Sequence, residues 1–154
     1  MKKIMSIVVP VLGCFAVGIT ASLLQKNAIK YWYPYLNKPA LTPPNIVFPI
    51  AWTIIYLCIG ISIGLIYLSG SKNKKELIEL FCMQLAFNFA WSYLFFYLRN
   101  PLLGFIDIVI LDALVTMYVV KSYRERKVSS ILFWPYLAWI YFATYLNGYI
   151  LLKN

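Results

Sequence analysis

The chain of 154 residues is 62% apolar and 18% aromatic, with only 12% charged residues. A soluble domain carries about 25% charge, so this one lacks the polar surface needed to cover a water-soluble globule. The same apolar excess excludes a disordered chain, and the length suits one domain, 1–154. What remains is an integral membrane protein.

The 14 basic and 5 acidic residues are clustered rather than scattered. No charge falls between Lys3 and Lys26, Lys38 and Lys72, Glu79 and Arg99, or Lys127 and Lys153. Each gap exceeds the roughly 18 apolar residues that cross a bilayer core at 1.5 Å per residue. A fifth stretch, Leu102–Val120, is interrupted only by Asp107 and Asp112. The expected fold is an all-α membrane protein, a bundle of five transmembrane helices at about 4–24, 46–68, 77–98, 102–120 and 130–152. The runs are apolar on every face, unlike the alternating segments of a β-barrel.

The first element begins after Lys2 and Lys3, in the outline of a secretory signal. Its apolar run exceeds the about 7–15 residues of a signal core, and no small-x-small cleavage site follows, so it is expected to be retained. Next comes a connection of about twenty residues, Gln25–Asn45, holding Trp32, Tyr33, Tyr35, Lys38 and the prolines Pro34, Pro39, Pro43 and Pro44. Proline restricts the loose chain, so the segment is expected to be ordered. It reads either as an interfacial anchor or as a lid over a cavity between the helices.

The second element places Trp52 and Tyr56 on one face, roughly 9 and 15 Å below that loop. In the third, Asn88, Trp91, Ser92 and Phe95 share a face, with Gln84 one turn before them. The fourth carries Asp107 and Asp112, where a carboxylate is costly and needs a partner or a cavity. Asp107 is expected to make a structural contact within the bundle, and Asp112 has no assigned role. The fifth carries Tyr136, Trp139, Ala143 and Asn147 on one face. Thr20 and Ser22 end the first element near the same level.

Orientation follows from Lys and Arg at the segment ends. One side collects Lys2, Lys3, Lys72, Lys74, Lys75, Lys121, Arg124, Arg126 and Lys127; the other has Lys26, Lys30, Lys38, Arg99 and Lys153. The excess places the N-terminus in the cytoplasm, with the long loop and the C-terminus outside the cytoplasmic membrane. The net charge of +9 is then explained by topology and anionic-lipid contact, without nucleic acid.

Three tryptophans, two asparagines and several hydroxyls therefore converge in the outer half of the bundle. Each polar residue on its own reads equally as a helix–helix hydrogen bond. Together, indole and phenol rings separated by small residues suit a flat apolar ligand.

The run Trp32-Tyr33-x-x-Leu36-x-Lys38-Pro39-x-x-x-Pro43-Pro44, then Phe48-x-x-x-Trp52-Thr53-x-x-Tyr56, resembles the TspO/MBR family, bacterial kin of the translocator protein or peripheral benzodiazepine receptor. Gln84-Leu85-x-x-Asn88-x-x-Trp91-Ser92-x-x-Phe95-Phe96, Asn100-Pro101 with Asp107, and Pro135-Tyr136-x-x-Trp139-x-x-Phe142-Ala143-x-x-Leu146-Asn147 extend the resemblance over nearly the whole chain. Ile46 departs from it, standing where members commonly have tryptophan.

The resemblance implies a five-helix bundle, usually a homodimer, whose first loop closes over a pocket. It implies binding of protoporphyrin IX, haem and related porphyrins, and of benzodiazepine- and isoquinoline-type ligands. Light- and oxygen-dependent degradation of protoporphyrin IX and regulation of tetrapyrrole metabolism are implied functions, with the porphyrin as ligand or substrate and no resident cofactor. Pocket positions fall on Tyr33, Trp52, Asn88, Trp91, Trp139, Ala143 and Asn147, and helix arithmetic adds Tyr56, Ser92 and Phe95. Lid residues are Trp32, Lys38, Pro39, Pro43 and Pro44, with Lys38 expected to meet porphyrin carboxylates. Trp52 and Trp139 are the candidate electron or radical donors. Alternatives are a transporter of porphyrins or sterol-like compounds, and a ligand-responsive sensor or scaffold acting through Lys121–Lys127.

Other chemistry is sparse. The chain has no histidine, the commonest haem and metal ligand, so no metal site is expected. Cys14, Cys58 and Cys82 lie in separate helices without metal-ligand spacing. A cholesterol-like pattern, Leu146-x-x-Tyr149-x-x-x-Lys153, is a loose motif read first as interfacial anchoring. The small-residue spacings Gly60-x-x-x-Gly64 and Ala86-x-x-x-Ala90 allow close helix approach, within one chain or across a dimer.

Overall fold

A computed structural model describes residues 2–154. Its described residues form five long helices: α1 (Lys2–Tyr31), α2 (Val47–Tyr67), α3 (Lys74–Trp91), α4 (Pro101–Glu125) and α5 (Lys127–Lys153). A π-helical turn, Ser92–Tyr97, continues α3, and a 3-10 turn, Tyr33–Tyr35, follows α1. By length and composition α1, α2, α3 with its π turn, and α4 are apolar enough to cross a membrane. α5 is 27 residues long and intersperses its aliphatic residues with tryptophans, tyrosines and Asn147. The result is a multi-pass membrane bundle.

The helix ends differ from the sequence expectation in one informative place. α1 runs through Lys26 and Lys30 to Tyr31, so the connection to α2 is shorter than the twenty residues expected. Once the chain leaves the hydrocarbon nothing forbids charge on a helix, and α1 stops only as Pro34 approaches. At the other corner, Arg99 takes a left-handed φ of 52°, which reverses the chain. Asn100 Oδ1 then accepts from the Leu103 N–H at 3.0 Å, and Pro101 opens α4. That is an N-cap followed by proline at the first helical position. Arg126 alone, in extended conformation, separates α4 from α5.

Going round the bundle, α1 packs on α2, α2 on α5, α5 on α4, α4 on α3, and the π turn returns to α1. The end away from the 3-10 turn is solid. There Tyr118 stacks on Phe133 at 4.0 Å, with Phe81 against both. Ser62 Oγ lies 3.0 Å from the Tyr118 hydroxyl and donates to the Ser129 carbonyl at 2.7 Å. Gly60 and Gly64 belong to this contact: a Cβ on Gly60 would stand 2.6 Å from Val11 Cα, and one on Gly64 2.6 Å from the Ser6 carbonyl. This small-residue pair therefore joins α1 to α2 within one chain. Ala86 is exposed on α3 and Ala90 is half-buried.

Candidate ligand-binding site

The opposite half of the bundle is hollow. A cavity of about 450 Å³ is lined by all five helices, the π turn and Tyr33, and no charged side chain takes part in its lining. The ten residues expected to meet a ligand, Tyr33, Trp52, Tyr56, Asn88, Trp91, Ser92, Phe95, Trp139, Ala143 and Asn147, all lie on its walls. α2 supplies Trp52 and, one turn deeper, Tyr56, whose rings stack at 5.3 Å. α3 and its π turn supply Trp91 stacked on Phe95 at 5.2 Å. α5 supplies Trp139, wedged edge-on against Phe48 at 5.7 Å.

Among the lining positions that the sequence reading did not assign to the site are Phe15, Gln25 and Phe48. Phe15, Gly18, Ser22, Gln25 and Ile29 follow one another at spacings of three and four along α1, the signal that would have found Phe15 and Gln25; Phe48 stands one turn before Trp52 on α2. The exposed lining residues are Ile19, Ser22, Ile29, Asn45, Pro49 and Thr53. All belong to α1, to the start of α2 or, for Asn45, to the connection just before it, so the cavity opens sideways between those two helices. Thr20 donates to the Ala16 carbonyl on the exposed side and takes no part.

The polar groups hold the walls in place. Tyr56 donates to Asn88 Oδ1 at 3.1 Å, and Asn88 Nδ2 donates to the Tyr136 hydroxyl at 3.2 Å. Trp91 Nε1 donates to Asn147 Oδ1 at 3.0 Å, and Asn147 Nδ2 donates to the Pro101 carbonyl at 3.0 Å. Both amides are thus engaged by the protein. The indole N–H groups of Trp52 and Trp139 make no hydrogen bond among the described residues.

The loop is an ordered cap. Trp32 packs edge-on against Phe95 at 5.5 Å and Tyr33 against Phe96 at 5.6 Å. Burial raises the Tyr33 hydroxyl above its ordinary pKa. Lys38 serves the cap itself and is not free for a ligand carboxylate: its ammonium donates to the carbonyls of Tyr33, Pro34 and Leu36 at 2.8, 3.2 and 3.2 Å. It also sits 4.9 Å from the centroid of the Tyr33 ring. Pro39 is buried beneath, and Pro43 lines a shallow cleft with Asn37, Lys38 and Tyr149, whereas Pro44 is exposed. A clasp closes the cap on the end of α5. The Asn37 N–H donates to Asn154 Oδ1 at 2.8 Å, and Asn154 Nδ2 donates to the Asn37 carbonyl at 3.2 Å.

Matching the sequence against known families settles the class. The TspO/MBR family pattern covers residues 10–152. The chain belongs to the TspO/MBR family. It is 40% identical to the tryptophan-rich protein TspO of Archaeoglobus fulgidus, over 99% of each chain. It is 35% identical to the TspO of Chlorobaculum tepidum, over 99% of this chain and 98% of that one. It is 30% identical to the human translocator protein, over 90% of this chain and 81% of the relative.

Three further polar positions of this family member stand outside the cavity lining. Asp107 is buried within the bundle, and no hydrogen bond reaches its carboxylate among the described residues. Asp112 accepts from Thr144 at 2.8 Å, which ties α4 to α5. Gln84 is fully buried on α3 with neither amide atom partnered among the described residues.

Proposed function

We propose that this protein binds a flat apolar tetrapyrrole, with protoporphyrin IX as the reference ligand, in the cavity beneath the cap, and lies in the cytoplasmic membrane with the cap outside. The observation that carries the reading is an uncharged cavity of about 450 Å³ faced by three indoles and closed by an ordered loop. A volume of this size falls within the range of small-molecule pockets. Rings at Trp52, Trp91 and Trp139 supply apolar, polarisable faces, and the free indole N–H groups of Trp52 and Trp139 supply donors. The sideways opening lets an apolar ligand enter from lipid. Benzodiazepine- and isoquinoline-type molecules share the same flat, apolar character.

The same placement supports a light-driven activity. An excited porphyrin takes one electron from the Trp52 or Trp139 indole, whose N–H proton then leaves. Molecular oxygen takes that electron from the reduced porphyrin, leaving superoxide beside the ring it attacks. Transport is the less favoured reading, because Tyr118, Phe133 and Phe81 fill the bundle on the path to the other side.

The test is a titration of tryptophan emission with protoporphyrin IX. Saturable quenching, weakened about tenfold or more by Trp52→Ala, is expected; a linear, non-saturating decrease in the parent overturns the reading. Under illumination, Trp52→Phe and Trp139→Phe together are expected to slow porphyrin loss, and an unchanged rate removes their donor role. Porphyrin appearing inside sealed proteoliposomes would favour transport. The homodimer that goes with this reading uses the exposed stripe of Cys82, Met83 and Ala86 on α3 and Tyr93 and Tyr97 on its π turn. Oxidative cross-linking through Cys82, abolished by Cys82→Ser, tests it.

A further inference from the structure

The three glutamates of the chain, Glu76, Glu79 and Glu125, all lie at the end of the bundle opposite the cap, and each is already engaged. Glu76 pairs with Lys121, and Glu79 with Lys75 one turn away at 3.8 Å. Glu125, at the end of α4, pairs with no cation. Its two carboxylate oxygens accept from Ser71 Oγ and Asn73 Nδ2, each at 2.6 Å, which fastens the α2–α3 connection to the end of α4. The residues that flank these two bonds are cations. Lys72 stands between Ser71 and Asn73, with Lys74 next; Arg124 and Arg126 stand on either side of Glu125, with Lys127 next. None of these five forms an ion pair among the described residues. Arg126 is half-buried and donates one guanidinium N–H to the Leu65 carbonyl of α2 at 3.3 Å; its other N–H groups meet no acceptor among the described residues.

Like charges gathered in one corner repel one another until an anion joins them. Apolar surface begins directly beside these charges. The ammonium groups of Lys74 and Lys127 sit 5.5 Å from the ring centroids of Tyr67 and Tyr123. Both tyrosines are exposed, as are Val128 and Ile131 at the start of α5. A soluble anion would use the cations alone, whereas a phospholipid uses the cations and the apolar surface together. We propose that this corner binds a phospholipid carrying two phosphates, with its headgroup among Lys72, Arg124, Arg126 and Lys127 and its chains along Val128 and Ile131. A single phosphodiester brings one negative charge and leaves most of the corner uncompensated. Two phosphates in one headgroup answer the cation of the α2–α3 connection and those of the α4–α5 junction together, and an arginine fork suits phosphate oxygens. The site lies apart from the cavity and does not rest on what the cavity binds.

The experiment titrates the purified full chain in detergent with cardiolipin, which has two phosphates, and with phosphatidylglycerol, which has one, at equal total phosphate. Native mass spectrometry counts the bound lipid. The parent is expected to bind cardiolipin about fivefold or more tightly than phosphatidylglycerol, the scale of one further cation at an anionic headgroup. Arg124→Gln with Lys127→Gln removes two exposed charges and is expected to weaken cardiolipin binding about tenfold or more. Lys26→Gln with Lys30→Gln removes the same charge at the cap end and is expected to leave it unchanged. Arg126→Gln is expected to weaken binding as well, and if it alters the thermal melt, the exposed double variant decides alone. Equal affinity for the two lipids, unaltered binding in the Arg124/Lys127 variant, or an equal loss in both double variants overturns the proposal. Displacement of cardiolipin by inorganic pyrophosphate at equal phosphate overturns the lipid assignment and leaves a site for soluble anions.

Discussion

The indole N–H of Trp91 donates to Asn147 Oδ1 at 3.0 Å, and through this bond α5 holds the cavity wall formed where α3 passes into its π turn. Asn147 also reaches the Pro101 carbonyl at 3.0 Å, one of the first residues of α4. One buried amide, 2% exposed, thus fixes three elements relative to one another. The π turn has no side-chain cap at its start, so its position depends on such outside contacts, among them the bond that Gln25 Nε2 on α1 donates to Ser92 Oγ at 2.7 Å.

Asn147→Leu is therefore expected to destabilise the protein by about 1–3 kcal/mol, since it strands a buried indole N–H and a carbonyl. Thermal unfolding in detergent measures this. The change should also release the Trp91 ring from its stack on Phe95, blue-shifting or quenching its emission. An unaltered melt would show that water or neighbouring groups replace the amide.

The bundle was largely legible in the sequence because a bilayer leaves so few options. Charge-free runs longer than a span can only be helices, and the indoles of Trp52, Trp91 and Trp139 share a level because 1.5 Å per residue sets their depth. Less legible was which polar atom meets which. Spacing placed Asn88 and Asn147 at the cavity, but not that Tyr56, Tyr136, Trp91 and Pro101 take up their amides. Lys38 looked free for a carboxylate because a charge in a loop carries no record of the carbonyls that fold around it. Gln25 was hidden by the assumption that α1 ended there. The path of the chain beyond the hydrocarbon is set by local carbonyl and proline geometry, which hydropathy does not encode.

The clasp between Asn37 and Asn154 points to how the cap is held shut. Its two backbone-to-amide bonds, at 2.8 and 3.2 Å, are exposed, so each contributes modestly and can break without unfolding the bundle. Asn154→Ala is expected to leave thermal stability nearly unchanged while raising the rate of ligand dissociation about fivefold, the scale of roughly 1 kcal/mol. Stopped-flow recovery of tryptophan emission after displacement reads that rate. A dissociation rate equal to the parent's would place the rate-limiting motion at the α1–α2 opening instead.

The contact of α1 with α2 is the rigid counterpart of that opening. At Gly60 a Cβ would stand 2.6 Å from Val11 Cα and 2.9 Å from its backbone nitrogen. Backbone cannot rotate away as a side-chain tip can, so the helices must part. Gly60→Val is expected to cost about 1–3 kcal/mol by overpacking and to widen the cavity mouth. Gly13, with nothing within 4 Å of a Cβ, is the control: Gly13→Ala should stabilise slightly or change nothing, since alanine is the better helix former. Equal melts for Gly60→Val and Gly13→Ala would contradict the packing.

Tyr33 makes the cap sensitive to alkali. Its ring packs on Phe96 and burial raises its hydroxyl above the ordinary tyrosine value of about 10. In the closed cap the phenol keeps its proton at a pH where the loose segment has already lost it. The closed form is therefore fully favoured below about pH 10 and loses that advantage as pH rises through the raised value. The ammonium of Lys38 over the ring pulls the other way, but burial prevails. Ligand dissociation should accelerate above about pH 10 in the parent, whereas Tyr33→Phe has no proton to lose there. In that variant the acceleration should begin at higher pH, or be absent, with dissociation at neutral pH changed little. The same alkaline onset in both proteins would show that the cap opens through another group.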